Sequence, residues 1–107
     1  MNIGQRFEWL RVVIRAEPRP SLAEVAVAAA LAERFNEQRG AAWPASRTMA
    51  DDLRMDRANI RRAIRRLQER GFIAPATGRF RSLAFLLVTP EGVLQPPQRG
   101  SYSPPNK

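Results

Sequence analysis

Apolar residues recur at helical spacing through the first two thirds of the chain and change period after Gly71. Over residues 5–16, Phe7, Leu10 and Ile14 fall at i, i+3 and i+7, one face of a helix, and Trp9, Val12 and Val13 widen it. The run Val12-Val13-Ile14 alone would also suit a strand. Pro18 and Pro20 end the element, because proline lacks a backbone donor and restricts the residue before it. Ser21-Leu22-Ala23-Glu24 then reads as a capping box opening a helix over 22–38. Ten of the 13 residues from 23 to 35 are apolar, mostly Ala, as in the central helix of a small bundle. Gly40 is expected to stop that helix, with a connection running to Trp43-Pro44.

A short helix is expected at 46–54, capped by Ser46, with Met49, Ala50 and Leu53 on its apolar face. Arg54-Met55-Asp56 makes a tight connection, and Asp56 is a suitable N-cap for a helix over 57–70. In that helix Ile60, Ala63, Ile64 and Leu67 share one face, opposite Ala58, Arg62, Arg65, Arg66 and Glu69, and Gly71 takes the C′ position. Phe72-Ile73-Ala74 reads as a short strand, Pro75 to Ser82 as a loop with Arg79 and Arg81 near its tip, and Leu83 to Val88 as a second strand. The hairpin thus spans 72–88. Five prolines among the last 19 residues leave little to bury, so 96–107 is expected to be a flexible tail on one domain spanning 1–95.

Charge sharpens this picture. The chain of 107 residues carries 18 basic and 10 acidic residues, net +8, and every basic residue but Lys107 is Arg. Residues 1–46 and 82–107 are each net +1, whereas 47–81 hold ten Arg and four acids, net +6. A basic block inside a folded segment points to a polyanionic partner. With no Cys and no His, thiolate nucleophiles, disulfides, Cys/His zinc sites and imidazole bases are excluded. Asp51 and Asp52 are neighbours on a helix and so face different ways, which does not make a catalytic pair. Catalytic residues, metal ligands and cofactors are therefore expected to be none, and no small-molecule ligand is expected. No run of 18 apolar residues spans a membrane, the N-terminus lacks the order of a signal peptide, and a cytoplasmic location is the default.

A short helix, a three-residue turn and a second helix make a helix-turn-helix unit, and a following hairpin makes the winged version, mainly α with a small β-hairpin. Residues 43–73 carry a resemblance as well. Pro44, Met49-Ala50, Met55, Arg57, Ile60, Arg62-Ala63-Ile64, Leu67 and Gly71-Phe72-Ile73 follow in register the pattern of winged helix-turn-helix domains of bacterial, phage and plasmid regulators and replication-initiation proteins. Phe7-Glu8-Trp9-Leu10 and the alanine-rich helix resemble the segment upstream of such domains, so the likeness covers about residues 7–75. The chain departs from the pattern at Ala45, where Ser is usual, and at Arg54, which replaces the inter-helix Gly and implies a left-handed Arg or another turn geometry. Asp56 replaces Ser and Asn59 replaces Thr; the latter adds an amide able to read adenine.

The second helix of such a unit lies in the major groove with its first residues at base edges. Double-stranded DNA is thus the expected partner. The expected contacts are Arg47, Arg57, Ala58, Asn59, Arg61, Arg62, Arg65 and Arg66, with Arg79 and Arg81 reaching from the wing. The competing reading of each arginine is a solvated surface charge. Phe7, Trp9, Val12 and Val13 either complete the core or form the seam of a homodimer. The expected function is sequence-specific DNA binding as a transcriptional regulator, encoded on a phage, plasmid or integrated element. The alternatives are a DNA-architectural factor, as an origin binder or recombination directionality factor, and a protein–protein module.

Overall fold

The computed structural model describes residues 1–43, 46–76 and 84–90, with the backbone alone at 46 and 47. Four helices precede a hairpin: α1 Ile3–Ile14, α2 Leu22–Arg34, α3 Ser46–Leu53, α4 Arg57–Glu69, β1 Ile73–Ala76 and β2 Ala84–Leu87. α2 is the hub, packing against α1, α3 and α4. Its buried residues Val27, Ala28, Ala30, Leu31 and Ala32 form the middle of a core shared with Trp9, Val13, Met49, Ile60, Ile64, Leu67, Phe85 and Leu87. The small alanine side chains leave room for three helices around one.

The Ser21 capping box forms as expected: the Ser21 hydroxyl accepts from the Glu24 N–H at 3.1 Å, and Glu24 accepts from the Ser21 N–H at 3.3 Å. A second capping box opens α1 two residues before the expected start, with Asn2 and Gln5 exchanging bonds of 2.8 Å. Asn-x-x-Gln carries the same physics as Ser-x-x-Glu, so this signal was present in the sequence. The buried face of α1 also differs from the one its spacing predicts. Trp9 and Val13 are fully buried, while Phe7 and Ile14 stand 59% and 44% exposed. The choice between the two faces falls to Trp9, whose indole N–H donates to both the Phe72 carbonyl at 2.9 Å and the Val88 carbonyl at 2.8 Å. A buried indole needs such an acceptor, and only one orientation of α1 reaches these two.

α2 ends at Arg34 rather than at 38, with Phe35 extended. Gly40 does not stop the helix. It takes φ +70 in a turn closed by Gly40 N–H to Asn36 C=O at 2.8 Å and Asn36 N–H to Ala41 C=O at 2.9 Å. The chain then reaches the hairpin, where Ala42 exchanges bonds with Phe85 at 2.9 and 2.8 Å. This short third pairing has no signal in the sequence.

β1 and β2 are antiparallel, with Ile73 opposite Leu87 and Ala76 opposite Ala84. Pro75, expected in the loop, lies inside β1 opposite Phe85. Because Phe85 directs both its N–H and its C=O at Ala42, it asks nothing of Pro75, and a proline is harmless on that edge. Gly71, at φ +85, ends α4 in a Schellman motif: Gly71 N–H bonds Gln68 C=O at 3.1 Å and Phe72 N–H bonds Leu67 C=O at 3.0 Å. A mainly helical domain followed by a two-stranded antiparallel hairpin is consistent with a winged helix-turn-helix.

Candidate nucleic-acid interface

α3 and α4 are joined by Arg54-Met55-Asp56. Arg54 takes φ +54, the left-handed conformation that glycine adopts freely, and the Met55 N–H reaches back to the Ala50 carbonyl at 3.1 Å. The turn keeps its geometry without its glycine, at a conformational cost of about 1 kcal/mol. Asp56 occupies the N-cap position, but its side chain makes no capping bond, contrary to the expectation for this residue. The first turn of α4 also lacks an acidic residue. The first N–H groups of α4 are therefore left without a side-chain acceptor among the described residues.

α4 divides cleanly. Ile60, Ala63, Ile64 and Leu67 are buried against α2 and α3. Arg57, Ala58, Asn59, Arg61, Arg62, Arg65 and Arg66 are all exposed, so the seven α4 residues expected at the interface lie on its open side. Arg57, Arg61 and Arg65 recur at i, i+4 and i+8, and Arg62 and Arg66 form a second like-charged row. Each such i,i+4 pair destabilises a helix by about 0.2–0.5 kcal/mol. Among the described residues, Arg57, Arg61 and Arg65 have no hydrogen-bond or ion-pair partner. Arg62 donates to the Asn59 side-chain carbonyl at 2.6 Å, so the amide and the guanidinium share one patch near the start of the helix.

Arg66 differs from its neighbours. Its Nε donates to Glu24 at 3.0 Å while its side chain stays 60% exposed. Glu24 lies 5% exposed beneath it and also meets Arg70 at 3.6 Å. The carboxylate that caps α2 therefore also binds α4 to it. Arg70 further donates to the Pro18 carbonyl and stacks over Phe72 at 5.5 Å. This double use of Glu24 was not visible in the chain, since Glu24 and Arg66 lie far apart in sequence.

Arg79 and Arg81 lie outside the described residues, as does the side chain of Arg47, whose backbone is part of α3. The four residues expected at a dimer seam are separated. Trp9 and Val13 belong to the core of the single chain, which removes them from any seam; Val12 is half-buried and Phe7 is exposed. Trp43 is half-buried with Arg39 above its ring at 5.7 Å. Among the described residues, no group of three or more His, Cys, Asp or Glu could hold a metal ion, and no helix is long and apolar enough to cross a membrane.

The two helices, their tight turn and the buried Ile60–Leu67 face define a helix-turn-helix domain. Residues 21–73, from the cap of α2 to the first residue of β1, match the family model described as a helix-turn-helix domain. No curated protein and no solved structure matches the chain. A domain of this type points to DNA as its partner.

Proposed function

We propose that the protein is a sequence-specific double-stranded DNA-binding protein that regulates transcription, acting by binding rather than by catalysis. The observation that carries this reading is the solvent face of α4. Five arginines stand along it, three of them without a partner among the described residues. An arrangement that repels itself along a helix is a cost to folding that an approaching polyanion removes. A helix about 10–12 Å across fits a major groove about 12 Å wide.

In this reading Arg57, Ala58, Asn59 and Arg62 meet base edges, while Arg61, Arg65, Arg66 and Arg47 meet phosphates and Arg79 and Arg81 extend the contact from the wing. Regulation of a phage, plasmid or integrated element, by occlusion or recruitment at an operator, fits the likeness of residues 43–73 to regulators of such elements. A homodimer reading two half-sites rests on Phe7, which stands with Ile3 at the rim of an apolar groove between α1 and α2.

Selection from a random duplex pool tests the reading. One recovered motif is expected, symmetric if a dimer reads it, and Arg62→Ala should relax one position by about 1–3 kcal/mol. Binding with no motif and a steep salt dependence would remove sequence-specific regulation and leave contact with the phosphate backbone alone.

A further inference from the structure

Beside α4 lies a cleft of about 650 Å³ between that helix and the connection leading from α1 into α2. Arg62 and Arg66 line it from α4, Arg19 from the connection, and Arg70 from the end of α4, around the single carboxylate of Glu24. That carboxylate is already engaged. It is buried, accepts from the Ser21 N–H at 3.3 Å, and pairs with Arg66 at 3.0 Å and Arg70 at 3.6 Å. Four guanidinium groups thus meet one saturated acid, and the cleft is left with an excess of positive charge. Arg66 turns its Nε inward, and its side chain is still 60% exposed. Arg19 is exposed and has no partner among the described residues.

Cations from two separate elements facing one cleft, with no free acid between them, call for an anion from outside. We propose that this cleft seats a phosphodiester of the DNA strand flanking the groove that α4 enters, held between Arg19 on one side and Arg66 on the other. The inference rests on the DNA-binding reading and extends it: the contact surface reaches beyond the helix-turn-helix unit to the α1–α2 connection. Glu24 keeps Arg66 along the cleft wall, so the site is formed before DNA arrives. Arg19 is not among the DNA contacts expected from the sequence.

The test measures duplex binding across a salt series for the wild-type protein, Arg19→Ala and Arg15→Ala. Arg15 is likewise exposed and unpaired but does not line this cleft, so it controls for net charge. Arg19→Ala should reduce the slope of log affinity against log salt by about 0.9, equivalent to about a fivefold loss at about 0.15 M salt. Arg15→Ala should leave the slope unchanged. An Arg19→Ala slope equal to that of the wild type overturns the clamp while leaving DNA binding by α4 intact. Failure of the wild-type protein to bind any duplex overturns the DNA-binding reading itself, and the clamp with it. Inorganic phosphate separates the two sources of such a group. Saturable shifts of the arginine Nε–H signals at millimolar phosphate would assign the cleft to a free anion and overturn the backbone assignment; their absence beside duplex-induced shifts supports it.

Discussion

Arg57, Arg61 and Arg65 stand in solvent along α4 with no partner among the described residues, whereas Arg6, Arg34 and Arg70 are drawn into the protein around α2. Arg6 donates to the Ala32 carbonyl at 3.0 Å in the last turn of α2, pairs with Glu37 at 3.2 Å and lies over Phe35. Arg34 meets Asp52 of α3 at 2.6 Å. Arg70 joins Glu24 to the Pro18 carbonyl. The side chains of these three are only 15–19% exposed. One residue type therefore does two jobs. Around α2 the guanidinium fork ties carbonyls and carboxylates to that helix, the buried carboxylate of Glu24 among them. Along α4 the same fork is left open, and its charge accumulates. Charge counting along the chain treats both groups alike; the acids that reach them separate them.

The comparison can be broken at several depths. The largest effect is expected on the inner side, at Trp9. Trp9→Ala removes a fully buried ring and leaves the Phe72 and Val88 carbonyls without their indole donor, a loss of about 3–5 kcal/mol measurable by denaturant unfolding. Next comes a matched pair of arginines. Arg70→Ala leaves the buried Glu24 with fewer partners and should cost about 1–3 kcal/mol. Arg65→Ala should stay within about 0.5 kcal/mol of the wild type. Equal losses for the two would end the distinction between inner and outer arginines. The turn gives a gain instead: Arg54→Gly, by removing a left-handed non-glycine residue, should raise stability by about 0.5–1 kcal/mol. The smallest effect sharpens the outer side. Arg61→Ala relieves repulsion with both Arg57 and Arg65, so thermal unfolding should show a gain of about 0.4–1 kcal/mol at most while duplex affinity falls. A loss of stability there would mean that Arg61 serves the fold.

Local signals carried the sequence reading furthest. Ser21 and Glu24 are three residues apart, so their reciprocal bonds need nothing beyond the chain itself. Gly71 marks the helix end where a positive φ is needed; at Arg54 the resemblance left a left-handed residue or another turn geometry open, and the structure takes the first. The face of α4 was equally legible, because four strongly apolar residues share one side and arginines fill the other. α1 was less legible. Phe7, Leu10 and Ile14 satisfy helical spacing as well as Trp9 and Val13 do, and nothing within that helix chooses between them.

The sequence by itself determined the order of helices, the helix-turn-helix unit and its charged face, since caps, periods and local charge act over a few residues. Tertiary structure alone decided which side of α1 is buried, through carbonyls at Phe72 and Val88. It decided that Ala42 joins the hairpin at Phe85 and that Pro75 can occupy its outer edge. It also brought Glu24 beneath Arg66 and Arg70, and Arg19 to the far wall of the same cleft. Each of these depends on groups distant along the chain meeting in space. A buried donor, acceptor or charge takes whichever partner the packing brings to it, and no local pattern names that partner in advance.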